Sequence, residues 1–221
     1  MRRLGLILGC SVLAVLPVRG QQAPPDWKWR TDAPAVLSND AKPPDGSWQF
    51  TTMAPGWHIT TRPGVLLYPT TTEGRGHFAV QSEIFLFPGE SLQEYGLFVA
   101  GRQLDPAGSV PTYLAFVARR DGQAAVLRRT STGIDTVVAW APNDAVVPHP
   151  GGTTGTAKNV LRVDVGAAEI VFSANGKDVA RIPRAGVDTD GAIGFRVGAE
   201  MNLHVSTLDV TYKLAPVPVK R

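Results

Sequence analysis

In many short segments of the chain, apolar and polar residues alternate with a period of two. The stretch HFAVQSEIFLF, residues 77–87, is one example, because an extended chain points successive side chains to opposite faces. One face would carry Phe78, Val80, Ile84 and Leu86, and the other would carry His77, Gln81, Glu83 and Phe85. This pattern predicts a strand that is buried on one side only.

Turn-forming dipeptides separate these segments. Asn175-Gly176 interrupts NVLRVDVGAAEIVFSANGKDVARIP, residues 159–183, and Asp121-Gly122 interrupts YLAFVARRDGQAAVLRRT, residues 113–130. Both dipeptides accept the positive φ values of a type I′ hairpin turn. Roughly a dozen short strands follow from such signals, and no segment has a convincing helical period. The chain is therefore predicted to be all-β, a two-sheet antiparallel β-sandwich.

The ends of the chain differ from its middle. Residues 1–20 have a basic start, an apolar run and small residues near Gly20, which is typical of a cleaved secretory signal peptide. The alternatives are a retained anchor and a lipoprotein signal with Cys10 as the acylated residue. Residues 21–46 are predicted to be a Pro-rich lead-in, 47–214 the sandwich and 215–221 a flexible tail. We expect an exported protein, periplasmic or extracellular, without a membrane span in its mature part.

Charge and cysteine content exclude some classes of function. Lys and Arg number 22 against 19 Asp and Glu, but Arg2, Arg3 and Arg19 lie in the predicted signal, so the processed chain has 19 of each. A balanced chain without a basic, aromatic-rich cluster is not expected to bind nucleic acid. Because Cys10 is the one cysteine, the processed domain would be stabilised by its core without disulfides. The oligomeric state stays open.

Several of these segments resemble concanavalin A-like lectin/glucanase jelly rolls, which include laminin-G-like domains. The resemblance rests on Asn-x-Leu-Arg-Val at 159–163, Phe-x-x-Asn-Gly at 172–176 and Asp-Gly-x-x-Gly at 190–194. Residues 77–89 and 113–129 look like the preceding strands of the subgroup with secreted 3-keto-disaccharide hydrolase-like domains. The resemblance implies two curved sheets with carbohydrate bound on the concave face or rim loops. Asn159, Asn175, Gly176 and Gly191 are expected to shape the backbone.

The resemblance also bears on catalysis. Retaining glucanases of this superfamily carry a Glu nucleophile and a Glu acid on one strand, since their chemistry needs two carboxylates about 5 Å apart. The comparable strand here supplies Glu83, with Phe85 and Phe87 where further acids would stand. Glu83 is the catalytic candidate if the protein is an enzyme. The alternative is a carboxylate paired with an arginine such as Arg119 or Arg128.

Binding residues are predicted from sugar chemistry, because C–H faces stack on rings and hydroxyls bond to polar groups. The predicted ligand-binding set is Trp57, His77, Gln81, Glu83, Tyr113, Arg119 and Trp140. The four histidines have no metal-ligand spacing, so no metal site and no cofactor is predicted. Calcium bound by Asp144, Asp188 and Asp190 is an alternative without a recognised ion loop.

The sequence leads to three hypotheses about function. The leading hypothesis is a non-catalytic carbohydrate-binding or interaction module with a saccharide as its partner. The second is a glycoside or keto-sugar hydrolase or lyase that uses Glu83. The third is a structural envelope domain that binds other proteins.

Overall fold

The computed structural model describes residues 24–32, 48–104 and 109–213, and these ranges contain sixteen strands. The predicted signal peptide with Cys10 and the predicted tail lie outside the described residues. In chain order the strands are β1 (Trp27–Thr31), β2 (Trp48–Thr52), β3 (Trp57–Thr61), β4 (Val65–Pro69), β5 (Glu73–Gly74), β6 (Phe78–Leu86), β7 (Tyr95–Arg102), β8 (Thr112–Ala118), β9 (Gln123–Arg129), β10 (Ile134–Pro142), β11 (Ala157–Val165), β12 (Glu169–Ala174), β13 (Lys177–Pro183), β14 (Gly191–Val197), β15 (Asn202–Val205) and β16 (Asp209–Tyr212).

The strands form two antiparallel sheets that pack face to face. Sheet 1 has the order β1-β4-β14-β7-β8-β9-β10, with the short β5 beside β14. Sheet 2 has the order β13-β12-β11-β6-β15-β3-β2, with β16 beside β6. The chain passes from sheet 2 to sheet 1 between β3 and β4, between β6 and β7, and between β13 and β14, so consecutive strands at these points belong to opposite sheets. The predicted two-sheet antiparallel sandwich is confirmed.

Sheet 2 keeps the predicted alternation. In β6, Phe78, Val80, Ile84 and Leu86 are buried, whereas Gln81, Glu83 and Phe85 are partly exposed. β11 alternates in the same way along its whole length. The buried set faces sheet 1, where it joins one continuous apolar core. Burying each of these large side chains contributes about 1.5–3 kcal/mol.

The predicted hairpin turns are also present. Asn175 and Gly176 have φ values of 51° and 78° between β12 and β13. Gly122, between β8 and β9, has a φ of 83°. Asp121 Oδ1 accepts a hydrogen bond of 3.2 Å from the backbone N–H of Gln123, which supports the second turn.

Within the range predicted as a lead-in, the structure has a strand. β1 pairs with β4 along five residues and forms one edge of sheet 1. Trp29 is buried with its ring 4.9 Å from that of Trp48, and Trp27 stacks on Phe195 at 5.7 Å. The two tryptophans therefore belong to the core of the sandwich, and the folded unit begins before Ser47.

Sheet 1 departs from the alternation, because its outer face is apolar as well. In β7 and β8 nearly every side chain is buried. The outer face carries a second apolar cluster, which consists of Leu66, Tyr68, Phe98, Leu104, Tyr113, Ala115, Val117, Ala125 and Leu127. The buried guanidinium of Arg30 donates hydrogen bonds to the carbonyl oxygens of Gln103, Leu104 and Ser109. Arg30 thus ties the connection between β7 and β8 to this face.

Candidate functional site

The predicted ligand-binding residues do not form one site, because they lie on three different surfaces. The outer face of sheet 1 carries Tyr113, Arg119 and Trp140; the outer face of sheet 2 carries His77, Gln81 and Glu83; Trp57 packs against the core between the sheets. The sandwich therefore separates the first two groups by its whole thickness. A single ligand cannot touch both groups at once.

Trp57 has a packing role. Its ring centroid lies 4.8 Å from that of Trp27 and 6.2 Å from that of Phe50. Because Ile59 in the same strand is fully buried and lies on the same side, the alternation of β3 directs Trp57 inward. Sequence alone could not distinguish this ring from an exposed stacking platform.

Glu83 is paired, but not with an arginine. Its carboxylate forms an ion pair with Lys158 and accepts a hydrogen bond of 3.3 Å from Ser206 Oγ. Both arginines proposed as partners belong to the other sheet: Arg128 pairs with Asp135 at 3.0 Å, and the Arg119 guanidinium carbon lies 3.7 Å from the Trp140 ring centroid. That part of the expectation is corrected.

The Arg119–Trp140 contact occupies one end of the outer face of sheet 1. Trp140 lies within β10 and packs against the second apolar cluster. A guanidinium at this distance from an indole face makes a cation–π interaction. One face of the Trp140 ring is therefore already covered by Arg119, which leaves less of it for a sugar.

A cleft of about 650 Å³ opens at the other end of the same face. Strands β1, β4, β5, β7 and β14 all contribute to it. The polar and charged side chains in its lining are Lys28, Tyr68, Thr70, Glu73, Arg75, Arg102, Gln103 and Asp190. A wall with this mixture offers hydrogen-bond donors and acceptors in close succession, which suits a ligand rich in hydroxyl groups.

Hydrogen bonds hold the charged groups of this cleft in place. Arg102 forms an ion pair with Asp188 and donates a hydrogen bond of 3.1 Å to the carbonyl oxygen of Asp190. Asp190 Oδ1 accepts a bond of 2.9 Å from the backbone N–H of Gly76. Arg75 pairs with Glu73 at 2.8 Å. The rim of the cleft is thus cross-linked between β5, β7 and the turn before β14.

At the base of the cleft, the backbones of β14 and β7 lie close together. Gly191 has a φ of 137°, and a Cβ at this position would lie 2.7 Å from the carbonyl oxygen of Gly101. Glycine is therefore required at this position for β14 to pass close to β7. The prediction that Gly191 shapes the backbone agrees with this geometry.

A second, smaller cleft of about 200 Å³ lies beside the first and shares Arg102 with it. Its lining includes Tyr113, Arg128, Arg129 and Asp188. Arg102, which is exposed, thus contributes to both clefts. We call the two together the Arg102 clefts.

The three aspartates of the calcium alternative, Asp144, Asp188 and Asp190, do not lie together. Asp188 and Asp190 are engaged by Arg102 and Gly76, whereas Asp144 lines a different cleft with Asp121 and Asn143. Across residues 24–32, 48–104 and 109–213, no three His, Cys, Asp or Glu side chains are grouped as a ligand set for a metal ion.

Behind the smaller cleft, a buried polar network fixes Tyr113. Arg196 Nε donates to Tyr113 Oη at 2.9 Å, and its two terminal nitrogens bind Asp32, at 2.9 Å, and Glu94. Tyr113 Oη donates in turn to Asp32 Oδ1 at 2.8 Å. Burial alone would lower the pKa of Arg196, but Tyr113, Asp32 and Glu94 together raise it, so the guanidinium is charged.

The same network keeps the Tyr113 phenol neutral. Burial is the largest influence and raises the pKa of Tyr113, and Asp32 raises it further, against the opposing effect of Arg196. A neutral hydroxyl can donate and accept at once, as this geometry requires. Sequence reasoning missed Arg196, Glu94 and Asp32, because their positions are far apart in the chain and carry no motif.

Comparison with solved structures shows which fold this is. The carbohydrate-binding module CBM66 from Bacillus subtilis matches with a TM-score of 0.57 at 10% identity, covering 74% of this chain and 94% of that one. The exoplasmic/lumenal domain of VIP36, in its Ca²⁺/Man-bound form, matches with 0.60 at 8%, covering 89% and 86%. An alginate lyase from Corynebacterium sp. matches with 0.50 at 12%, covering 85% and 94%.

These likenesses establish a jelly-roll sandwich of the concanavalin A-like kind. In sequence, no protein-family model and no curated protein matches the chain. Within the part of the chain that the structure describes, no helix is long and apolar enough to cross a membrane. The fold hosts proteins that differ in function, so the function has to be argued from the site itself.

Proposed function

We propose that this chain is an exported saccharide-binding protein and that the Arg102 clefts are its binding site. The proposal rests on one observation: the two adjoining clefts share Arg102, which is held in place by hydrogen bonds. Their combined lining supplies donors from Lys28, Arg75 and Arg102 and acceptors from Glu73 and Asp190. Bidentate donors next to carboxylates are the groups that bind vicinal hydroxyls of a sugar ring.

Size and fold support the same proposal. The larger cleft falls within the range of roughly 300–1,000 Å³ that is usual for small-molecule sites. The fold is shared with a carbohydrate-binding module and with the Man-bound domain of VIP36. We propose in addition that the chain belongs to the subgroup with secreted 3-keto-disaccharide hydrolase-like domains.

A non-catalytic role is part of the proposal. Glu83, the catalytic candidate, is held by Lys158 and Ser206 on the opposite sheet and does not line either of the Arg102 clefts. A reaction that depends on Glu83 would therefore take place away from the proposed binding site. Turnover can be measured separately from binding.

The test is a glycan array followed by calorimetry with the saccharides it selects. Arg102→Ala should weaken binding at least tenfold, which corresponds to about 1.4 kcal/mol. Arg181→Ala is the matched control. Arg181 is likewise an exposed arginine held by acidic side chains, Asp178 and Glu169, but it lies on sheet 2. We expect it to bind like the unaltered protein.

Three results would count against this assignment. If Glu83→Gln abolished binding while Arg102→Ala did not, the site would lie on sheet 2. If Glu83→Gln abolished the release of sugar from a glycoside or 3-keto-glycoside, the protein would be an enzyme. Binding of a protein partner without any saccharide on the array would favour the envelope-interaction hypothesis.

Export has its own test. Expression of the full chain in a bacterial host, followed by N-terminal sequencing of the exported product, should give a start near Gln21. Lipid labelling that depends on Cys10 would instead indicate a lipoprotein.

A further inference from the structure

A pair of histidines lies on the outer face of sheet 2, away from the Arg102 clefts. His58 in β3 and His204 in β15 are directly opposite each other in the antiparallel register. Residues paired in this way have Cβ atoms about 4.5–5.5 Å apart, so their rings can approach a common point. Phe85 lies opposite His204 on the next strand, and the Phe87 ring lies 5.5 Å from that of His58.

The two ring nitrogens of His204 differ in their surroundings. His204 Nε2 lies 2.8 Å from the carbonyl oxygen of Pro55. A carbonyl can only accept, so Nε2 carries a proton, and in the neutral ring Nδ1 then keeps its lone pair. This is the arrangement in which a backbone carbonyl orients a metal-binding histidine through its other ring nitrogen.

Polar atoms around the pair lack partners. The Nδ1 atoms of His58 and His204 are both buried and have no hydrogen-bond partner among the described residues. The same holds for Oδ1 of Asn202, two residues before His204 on the same face of β15. Buried polar atoms are usually paired, and these three lie on neighbouring positions and are of the nitrogen and oxygen types that bind a metal ion.

The surroundings of the pair favour the neutral form of the His58 ring. Burial, and secondarily the neighbouring His204, lower the pKa of His58 below its ordinary value. Lys158 approaches the Phe85 ring at 5.6 Å, but its charge is balanced by Glu83. Neutral imidazole is the form that binds metals.

We propose that His58 and His204 form a two-histidine site for a divalent transition metal such as Zn²⁺, Ni²⁺ or Cu²⁺. Imidazole nitrogen suits these borderline ions, whereas Ca²⁺ and Mg²⁺ prefer oxygen. Asn202 Oδ1 and water would complete the coordination. The site does not depend on saccharide binding, because it lies on the other sheet.

The experiment is calorimetric titration of the full chain, produced without a polyhistidine tag, with ZnCl₂ at pH 7.5 in a non-chelating buffer. We expect one saturable site per chain, and we expect His58→Gln and His204→Gln each to weaken it at least tenfold. The control is His77→Gln, a change at a partly exposed histidine on the same face. It should leave the affinity unchanged.

A second readout excludes misfolding as the cause. Zn²⁺ should raise the melting temperature of the unaltered protein and of His77→Gln, because a ligand that binds only the folded state stabilises it. The shift should disappear in the His58→Gln/His204→Gln double variant, whose circular dichroism should still show a β-sandwich. No saturable binding by the unaltered protein, or the same binding by the double variant, would overturn the proposal.

Discussion

Replacing Arg196 by methionine should be among the most destabilising single changes on sheet 1. The Arg196 side chain is 8% exposed, and it binds Asp32, Glu94 and Tyr113 at the same time. Methionine fills much of the volume but leaves two carboxylates, 14% and 12% exposed, without their cation. Removing one member of a buried ion pair typically costs about 3–5 kcal/mol.

The control is Arg128→Met on the neighbouring part of the same sheet. Arg128 pairs with Asp135 at 3.0 Å, but both side chains are 52% exposed. Exposed pairs contribute about 0–1 kcal/mol, because water screens the charges. The pair of variants therefore compares the same substitution at a buried and at an exposed ion pair.

Urea unfolding followed by tryptophan fluorescence measures the free energy of unfolding of both variants. For a chain of this size, the loss in Arg196→Met corresponds to a drop of about 6–20 °C in melting temperature. Adding Glu94→Gln to Arg196→Met should recover about 1 kcal/mol or more, since it removes one uncompensated charge. The reasoning fails if Arg196→Met costs no more than Arg128→Met, or if Glu94→Gln worsens the single variant.

Two further predictions concern the other end of the core. Asn159→Ala should lower the free energy of unfolding in urea by about 3–4 kcal/mol, because four hydrogen bonds of about 1 kcal/mol each join its side chain to Tyr95, Val147 and Asn175. The control Asn143→Ala loses one bond, to Ala145, and should cost about 1 kcal/mol. Equal losses in the two variants would contradict a stabilising role for the Asn159 bonds. Burial raises the pKa of Tyr95 to about 12, against the lowering effects of Asn159 and Arg120. Above pH 10 the unfolded chain therefore loses a proton that the folded chain keeps. The free energy of unfolding should fall by up to about 3 kcal/mol as the pH rises to 12. Urea midpoints at pH 9 and 11 should differ less in Tyr95→Phe, and an unchanged difference would refute this.

Much of the fold could be predicted from local patterns. The alternation in β6 separated buried from exposed side chains, and Asn175-Gly176 and Asp121-Gly122 marked hairpins that are present. The two asparagines expected to shape the backbone do so: Asn159 binds the backbone N–H and carbonyl of Val147, and Asn175 occupies a left-handed turn position. The alternation, the two turns and the conformation of Asn175 depend on neighbours within a few residues, so the sequence contains them directly. The Asn159–Val147 bonds join residues twelve positions apart and depend on how the chain folds back.

The candidate site could be predicted only in part. Of the predicted ligand-binding residues, Tyr113 alone lines one of the Arg102 clefts. Arg119 and Trp140 share its face but lie at the other end, Trp57 points inward, and Glu83 lies on the opposite sheet. The alternation gives the side of each strand on which a residue lies, but it does not say which sheet the strand joins. β3 and β4 are consecutive in the chain and belong to different sheets.

The amino-acid sequence by itself determined the all-β architecture, the hairpins and the apolar side of the strands in sheet 2. Those properties arise from φ preferences at turns and from the two-residue period of an extended chain. The tertiary structure decided that Arg102 and Asp190 meet Lys28 and Glu73 at one cleft and that His58 in β3 lies opposite His204 in β15. Strand order and register bring these residues together from distant parts of the chain, and no local pattern specifies either.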